Sequence, residues 1–122
     1  MVKPEGGLID LGKTLEGFED DQELLREVLS VFVSESPQRH AAIADAFAAR
    51  DVERLAQLAH SLKGVCGTIR AEPLREMSYR VELAARNRDE GEIERDIPVL
   101  LAMLAELTEY LSGELRDGLG GT

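Results

Sequence analysis

The run Ala59-His60-Ser61-Leu62-Lys63-Gly64-Val65-Cys66-Gly67 decides how the rest of the chain is read. A helix through it, at about 100° per residue, places His60, Lys63, Gly64 and Gly67 on one face. Leu55, Leu58, Leu62, Val65, Cys66 and Ile69 fall on the opposite, apolar face. A glycine in an exposed helix interior costs about 1 kcal/mol relative to alanine. Two on the polar face beside a histidine therefore ask for a reason. The reason offered is access: a bulky anion or another backbone must press against His60.

Helical patterning extends outward in both directions. Asp51 caps the histidine helix, which runs to about Ile69. Upstream, Asp20 or Asp21 caps a helix that reaches about Val33, with Leu24, Leu25, Val28, Leu29 and Phe32 as its apolar stripe. Ser36-Pro37 then reads as a restart, a capping hydroxyl followed by proline at the first helical position. The helix that follows reaches about Ala49 and buries Ile43 and Phe47. Downstream, Glu72-Pro73 opens a helix with Leu74, Met77, Ser78, Val81, Ala84 and Ala85 inward. A last helix carries Ile93, Ile97, Leu100, Leu104, Leu107 and Leu111, and Pro98 is expected to kink or divide it. Residues 8–18 hold a short helix across one end.

No alternating strand pattern competes, and short connections make neighbouring helices antiparallel. The expected fold is all-α: an antiparallel up-and-down four-helix bundle with a short extra N-terminal helix. Residues 1–7 read as a flexible arm or linker remnant, 8–115 as the domain, and 116–122 as a disordered tail.

Composition narrows the function. The chain has 122 residues and one cysteine, so one domain is expected, with no internal disulfide and no cysteine metal framework. Its net charge of −10 repels phosphate backbones and anionic lipid heads, which sets nucleic acid and membrane aside as partners. Most of the acids read as a solvated helical surface. No membrane span or signal-peptide core is evident, so a cytoplasmic location is expected.

The chemistry gathers at His60. An imidazole titrates at about 6.5 in water, so at neutral pH it is mostly a free base with a nucleophilic nitrogen. Lys63, one turn on, can neutralise charge on a transferring phosphoryl group. Gly64 and Gly67 leave the space beside the ring bare, although close helix packing is a rival explanation for Gly67. On the next helix Arg75, Tyr79, Glu82 and Arg86 share a face distinct from the apolar one; Glu82 and Arg86 are also spaced for an ordinary i,i+4 ion pair. His40 has no such neighbours and reads as inert. Cys66 lies about 240° around the helix from His60, so the two cannot form a nucleophile–base pair. No Glu-x-x-His pair for a di-iron bundle and no phosphate-cradling glycine loop for ATP occurs. No metal site is expected.

His60-Ser61-Leu62-Lys63-Gly64 resembles the His-x-Leu-Lys-Gly signature of histidine-containing phosphotransfer (HPt) domains, and the similarity runs over residues 8–115. The resemblance implies a phosphorelay carrier without its own ATP site. His60 would take a phosphoryl group from a receiver aspartate of a hybrid sensor histidine kinase and pass it to a response-regulator aspartate. Lys63 and Arg86 would supply charge, Glu82 would orient the imidazole, and Gly64 and Gly67 would give docking clearance. It further implies a monomer with no cofactor of its own, Mg²⁺ belonging to the receiver. The chain departs from the family pattern at Thr68 and Arg70, where many relatives have Asn and Gly; a glycine is the easy left-handed helix stop. Two other classes stay open at this point: a non-phosphorylated scaffold bundle, and the histidine-bearing substrate domain of a chemotaxis-type kinase.

Overall fold

The computed structural model describes residues 7–118, all of whose regular structure is helical. Five α-helices follow in order: α1 (Leu11–Gly17), α2 (Gln22–Ala48), α3 (Val52–Thr68), α4 (Glu72–Arg86) and α5 (Glu90–Asp117). Most of the expected arm and the end of the expected tail, residues 1–6 and 119–122, lie outside the described residues. Arg116 and Asp117, assigned to the tail from sequence, belong instead to the last turn of α5, which closes on Gly118 at φ 87°. That left-handed glycine is the usual helix stop.

Aspartates start four of the helices. Asp10, Asp21, Asp51 and Asp89 each accept the amide of the residue three further on. Such caps satisfy one of the orphan donors at a helix start, and losing one costs about 1 kcal/mol. Helix ends follow an equally regular rule. Ala49-Arg50-Asp51, Ile69-Arg70-Ala71 and Asn87-Arg88-Asp89 link the four long helices, and Arg50, Arg70 and Arg88 take φ values of 57°, 60° and 54°. The amide of the next residue then reaches back to Ala46, Cys66 and Ala84 in turn, each at 2.9 Å. The chain thus stops one helix and starts the next within three residues.

Two expectations about proline are corrected. Helix α2 does not end near Val33 and restart at Ser36-Pro37; it runs unbroken through Pro37. Leu25, Leu29, Phe32, Ser36 and Ile43 keep one helical register across the proline and are all buried. Pro37 itself is exposed, so water can reach the carbonyl it leaves unpaired. Likewise α5 is not divided at Pro98, because Ile93, Ile97, Leu100, Leu104, Leu107 and Leu111 form a continuous buried stripe while Pro98 faces outward. Leu24, placed on the inner stripe from sequence, is exposed, and Met77 and Phe47 are half-buried.

The core is aliphatic, with Phe32 its one fully buried aromatic among the described residues. Helix α3 packs on α2 and α4, α4 on α5, and α5 back on α2. Helix α1 lies against the end of α3, where the buried Thr14 hydroxyl donates to the Ile69 carbonyl at 2.7 Å. Ile69 ends α3, so this bond anchors the far end of the helix that carries His60.

Candidate functional site

Helices α3 and α4 meet closely along their length and bring three side chains onto one carboxylate, with a fourth against one of the three. Glu82 of α4 is 6% exposed; Ser78, Glu82 and Ala85 continue the buried line of that helix. The placement of Glu82 on a polar face apart from the apolar one is therefore corrected: it stands at the seam with α3, at the inner edge of the Tyr79–Arg86 face. His60 Nδ1 lies 3.0 Å from Glu82 Oε2, and Lys63 Nζ lies 3.0 Å from Oε1 as an ion pair. Arg86 donates from Nε and Nη2 to Oε2 at 3.1 and 2.8 Å. The Lys63 ammonium also stands over the Tyr79 ring, 4.6 Å from its centroid.

The electrostatics follow from this convergence. Burial pushes the Glu82 carboxyl up, but its contacts with Arg86, Lys63 and His60 outweigh that and hold it below the usual carboxylate range. Glu82 is therefore an anion at neutral pH and can only accept. A carboxylate at Nδ1 selects the tautomer with the proton on Nδ1 and leaves the Nε2 lone pair free. The His60 side chain is 61% exposed, so that nitrogen sits on a solvated ring with a buried anchor. Chemically, the arrangement is an exposed imidazole anchored through Nδ1 on a carboxylate that also holds two cations.

The two glycines differ. A methyl group at Gly64 would meet nothing within 4 Å, as the clearance reading requires. At Gly67 it would meet the Cδ of Arg75 at 3.3 Å. An α4 side chain borders the strip there, so helix packing accounts for Gly67 without a docking role. Thr68 bonds back to the Gly64 carbonyl through Oγ1 at 3.2 Å. Arg70 adopts the left-handed stop without being glycine, so the turn survives the departure from the family pattern.

Residues outside the expected set also belong here. Tyr79 was grouped with Glu82 by spacing, but its contact with Lys63 needs the α3–α4 packing to be seen. Arg39 of α2 reaches Ser61, next to His60, through Nη1 at 3.3 Å and pairs with Glu35 at 3.1 Å. It rims an open, mainly apolar groove of about 380 Å³ lined by Val28, Val31, Phe32 and Val65. Nothing in the sequence ties Arg39 to a histidine on another helix. His40 lies elsewhere, in a groove with Leu104 and Thr108 of α5. Burial pushes the Cys66 thiol up to about 12 against the opposing pull of Arg39 and Arg75, so it stays protonated and unreactive. Among the described residues no group of three or more His, Cys, Asp or Glu is placed to hold a metal ion, and no helix is long and apolar enough to cross a membrane.

A family comparison covers the same stretch of the chain. The family model of the Hpt domain matches residues 27–110, which contain α3, α4 and every residue around Glu82. The chain belongs to the Hpt domain family. Membership implies phosphotransfer within a two-component phosphorelay and interaction with receiver domains. No curated protein and no solved structure matches the chain.

Proposed function

We propose that the chain is a phosphohistidine relay in which His60 carries the phosphoryl group. The exposed imidazole anchored through Nδ1 on buried Glu82 carries this reading. The Nε2 lone pair attacks the phosphorus of a receiver aspartyl phosphate. The P–O bond breaks as the N–P bond forms, and the carboxylate leaves with the electron pair. The Nδ1 proton stays on its hydrogen bond to Glu82. Lys63 and Arg86 offset the charge that spreads over the phosphoryl oxygens, the main demand of this chemistry. The reverse step delivers the group to a response-regulator aspartate. The donor in this reading is the receiver of a hybrid sensor kinase, and Mg²⁺ is held by the receiver.

The four long helices, closing on one another in sequence with three-residue links, support an antiparallel up-and-down bundle. The receiver would seat over Gly64 and the α2–α3 groove, which Arg39 joins to the histidine through Ser61. Incubation with a phosphorylated receiver domain tests the proposal. Acid-labile, base-stable label is expected on the chain and none on His60→Gln. Binding without label in the wild type would instead mean a scaffold.

A further inference from the structure

We propose that Tyr79 is a positioning residue for this relay: its ring holds the Lys63 ammonium beside His60 and keeps it there while the ammonium exchanges Glu82 for an arriving phosphoryl group. The inference rests on the phosphohistidine reading above.

A lysine head on a four-carbon stem is a mobile point charge. In a chain of net charge −10 it has many carboxylates to choose from. Lys63 is nonetheless 25% exposed, with Nζ between the Glu82 carboxylate at 3.0 Å and the Tyr79 ring face at 4.6 Å. Both holders come from α4, Tyr79 one turn before Glu82. They act differently. The carboxylate holds the ammonium by full charge, and the same charge must be given up when Lys63 turns to a phosphoryl group. The ring quadrupole attracts a cation anywhere over its face within about 6 Å. A shift of an ångström therefore takes the ammonium out of hydrogen-bond distance of the carboxylate but leaves it over the ring.

Tyr79 has no other evident task. Its residue is 47% exposed, so it is not a core side chain. Its hydroxyl makes no hydrogen bond among the described residues, so the ring face is the working part.

Phosphoramidate serves as the phosphoryl donor for the test, its P–N bond breaking with loss of ammonia as the Nε2–P bond forms. Phosphorylation rates are compared by intact mass for the full chain, Tyr79→Phe and Tyr79→Leu, the last two also in a Lys63→Met background. The Lys63 ε-methylene proton shifts report the ring contact in the resting chain. Tyr79→Phe is expected to match wild type in rate and in upfield ring-current shift. Tyr79→Leu should lose the shift and be about two- to fivefold slower, the usual worth of one exposed cation–π contact. That loss should vanish in Lys63→Met. A Tyr79→Leu rate equal to wild type overturns the proposal, as does a loss that persists undiminished in Lys63→Met. A wild-type chain that takes no phosphoryl group from either phosphoramidate or a receiver overturns the relay itself, and this inference with it.

Discussion

His60 and Glu82 touch at 3.0 Å, yet the imidazole is 61% exposed and the carboxylate 6%. In the relay proposed above, the exposed partner is the one that meets a receiver, and the buried one sets its orientation. Burial keeps water from competing for the Nδ1 hydrogen bond, while Lys63 and Arg86 offset the cost of keeping an anion there.

Replacing Glu82 tests that division of labour. In Glu82→Gln a single amide oxygen cannot serve three donors, and the amide nitrogen faces two cations. Transfer to and from a receiver should slow by about tenfold, the scale of one charge-assisted hydrogen bond. His60 and Arg86 can rehydrate at the surface, so the stability loss at neutral pH should be only about 1 kcal/mol. The folded carboxyl is depressed, so its contribution is present above the ordinary value of 4.5 and disappears as pH falls through the folded value. Denaturant titrations should therefore find wild type and variant converging in acid. A constant difference from neutral to acid pH would place the stabilisation elsewhere.

The paired glycines separate room for a partner from room for a neighbour. Gly64→Gln fills open space and gains helix propensity, so the melting temperature should hold or rise while receiver docking and transfer fall at least tenfold. Gly67→Ala meets only the aliphatic stem of half-exposed Arg75, which can give way. Its transfer rate should stay within about twofold of wild type, with stability within about 1 kcal/mol. Unchanged docking in Gly64→Gln would remove the clearance role; a transfer defect in Gly67→Ala would restore one to Gly67.

The histidine helix was legible because its signal is local: caps, apolar period and a motif lie within one segment. The six apolar positions of α5 were legible for the same reason and are all buried. Pro37 misled because a missing amide is visible in sequence, whereas the unbroken register from Leu25 to Ile43 has to be followed across it. Helical spacing puts Glu82 on the Tyr79–Arg86 face, and its burial beside Ser78 and Ala85 appears only once α4 is packed. The turns were illegible for a related reason. Where a left-handed residue is needed glycine is the usual mark, and arginine occupies that position at 50, 70 and 88.

Those arginines carry a removable cost. A left-handed non-glycine residue is disfavoured by about 1–2 kcal/mol, part of which glycine returns through the entropy of the unfolded chain. Arg88 offers the cleanest case, since its ion pair with Glu53 is 3.6 Å long and open to solvent. Arg88→Gly should raise stability by about 0.5–1 kcal/mol, read as a higher urea midpoint at an unchanged slope. Arg70→Gly should gain less, because the Arg70 guanidinium packs where a Gly17 side chain would otherwise project. A lower midpoint for Arg88→Gly would show that the arginine head contributes more than its backbone costs.

On the α4–α5 seam a second buried acid behaves in the opposite way to Glu82. Asp96 is 7% exposed on its side chain, with Oδ1 3.4 Å from Arg80 Nη2 and Oδ2 without a partner. Burial pushes its carboxyl up, reinforced by the neighbouring Glu92, which Arg80 and Arg95 hold in the ionised form. A raised folded value contributes stability that is fully present below the ordinary 3.8 and is lost as pH rises through the folded value. At neutral pH the chain therefore bears the cost of ionising a poorly paired buried acid. Asp96→Asn removes that cost and keeps an acceptor for Arg80, so it should stabilise the fold by about 1 kcal/mol at pH 7. The gain should shrink to nothing by about pH 3, where the wild-type carboxyl is protonated in both states. Paired melting curves at the two pH values decide the matter: an Asp96→Asn chain no more stable than wild type at pH 7 would mean that the Arg80 contact outweighs burial.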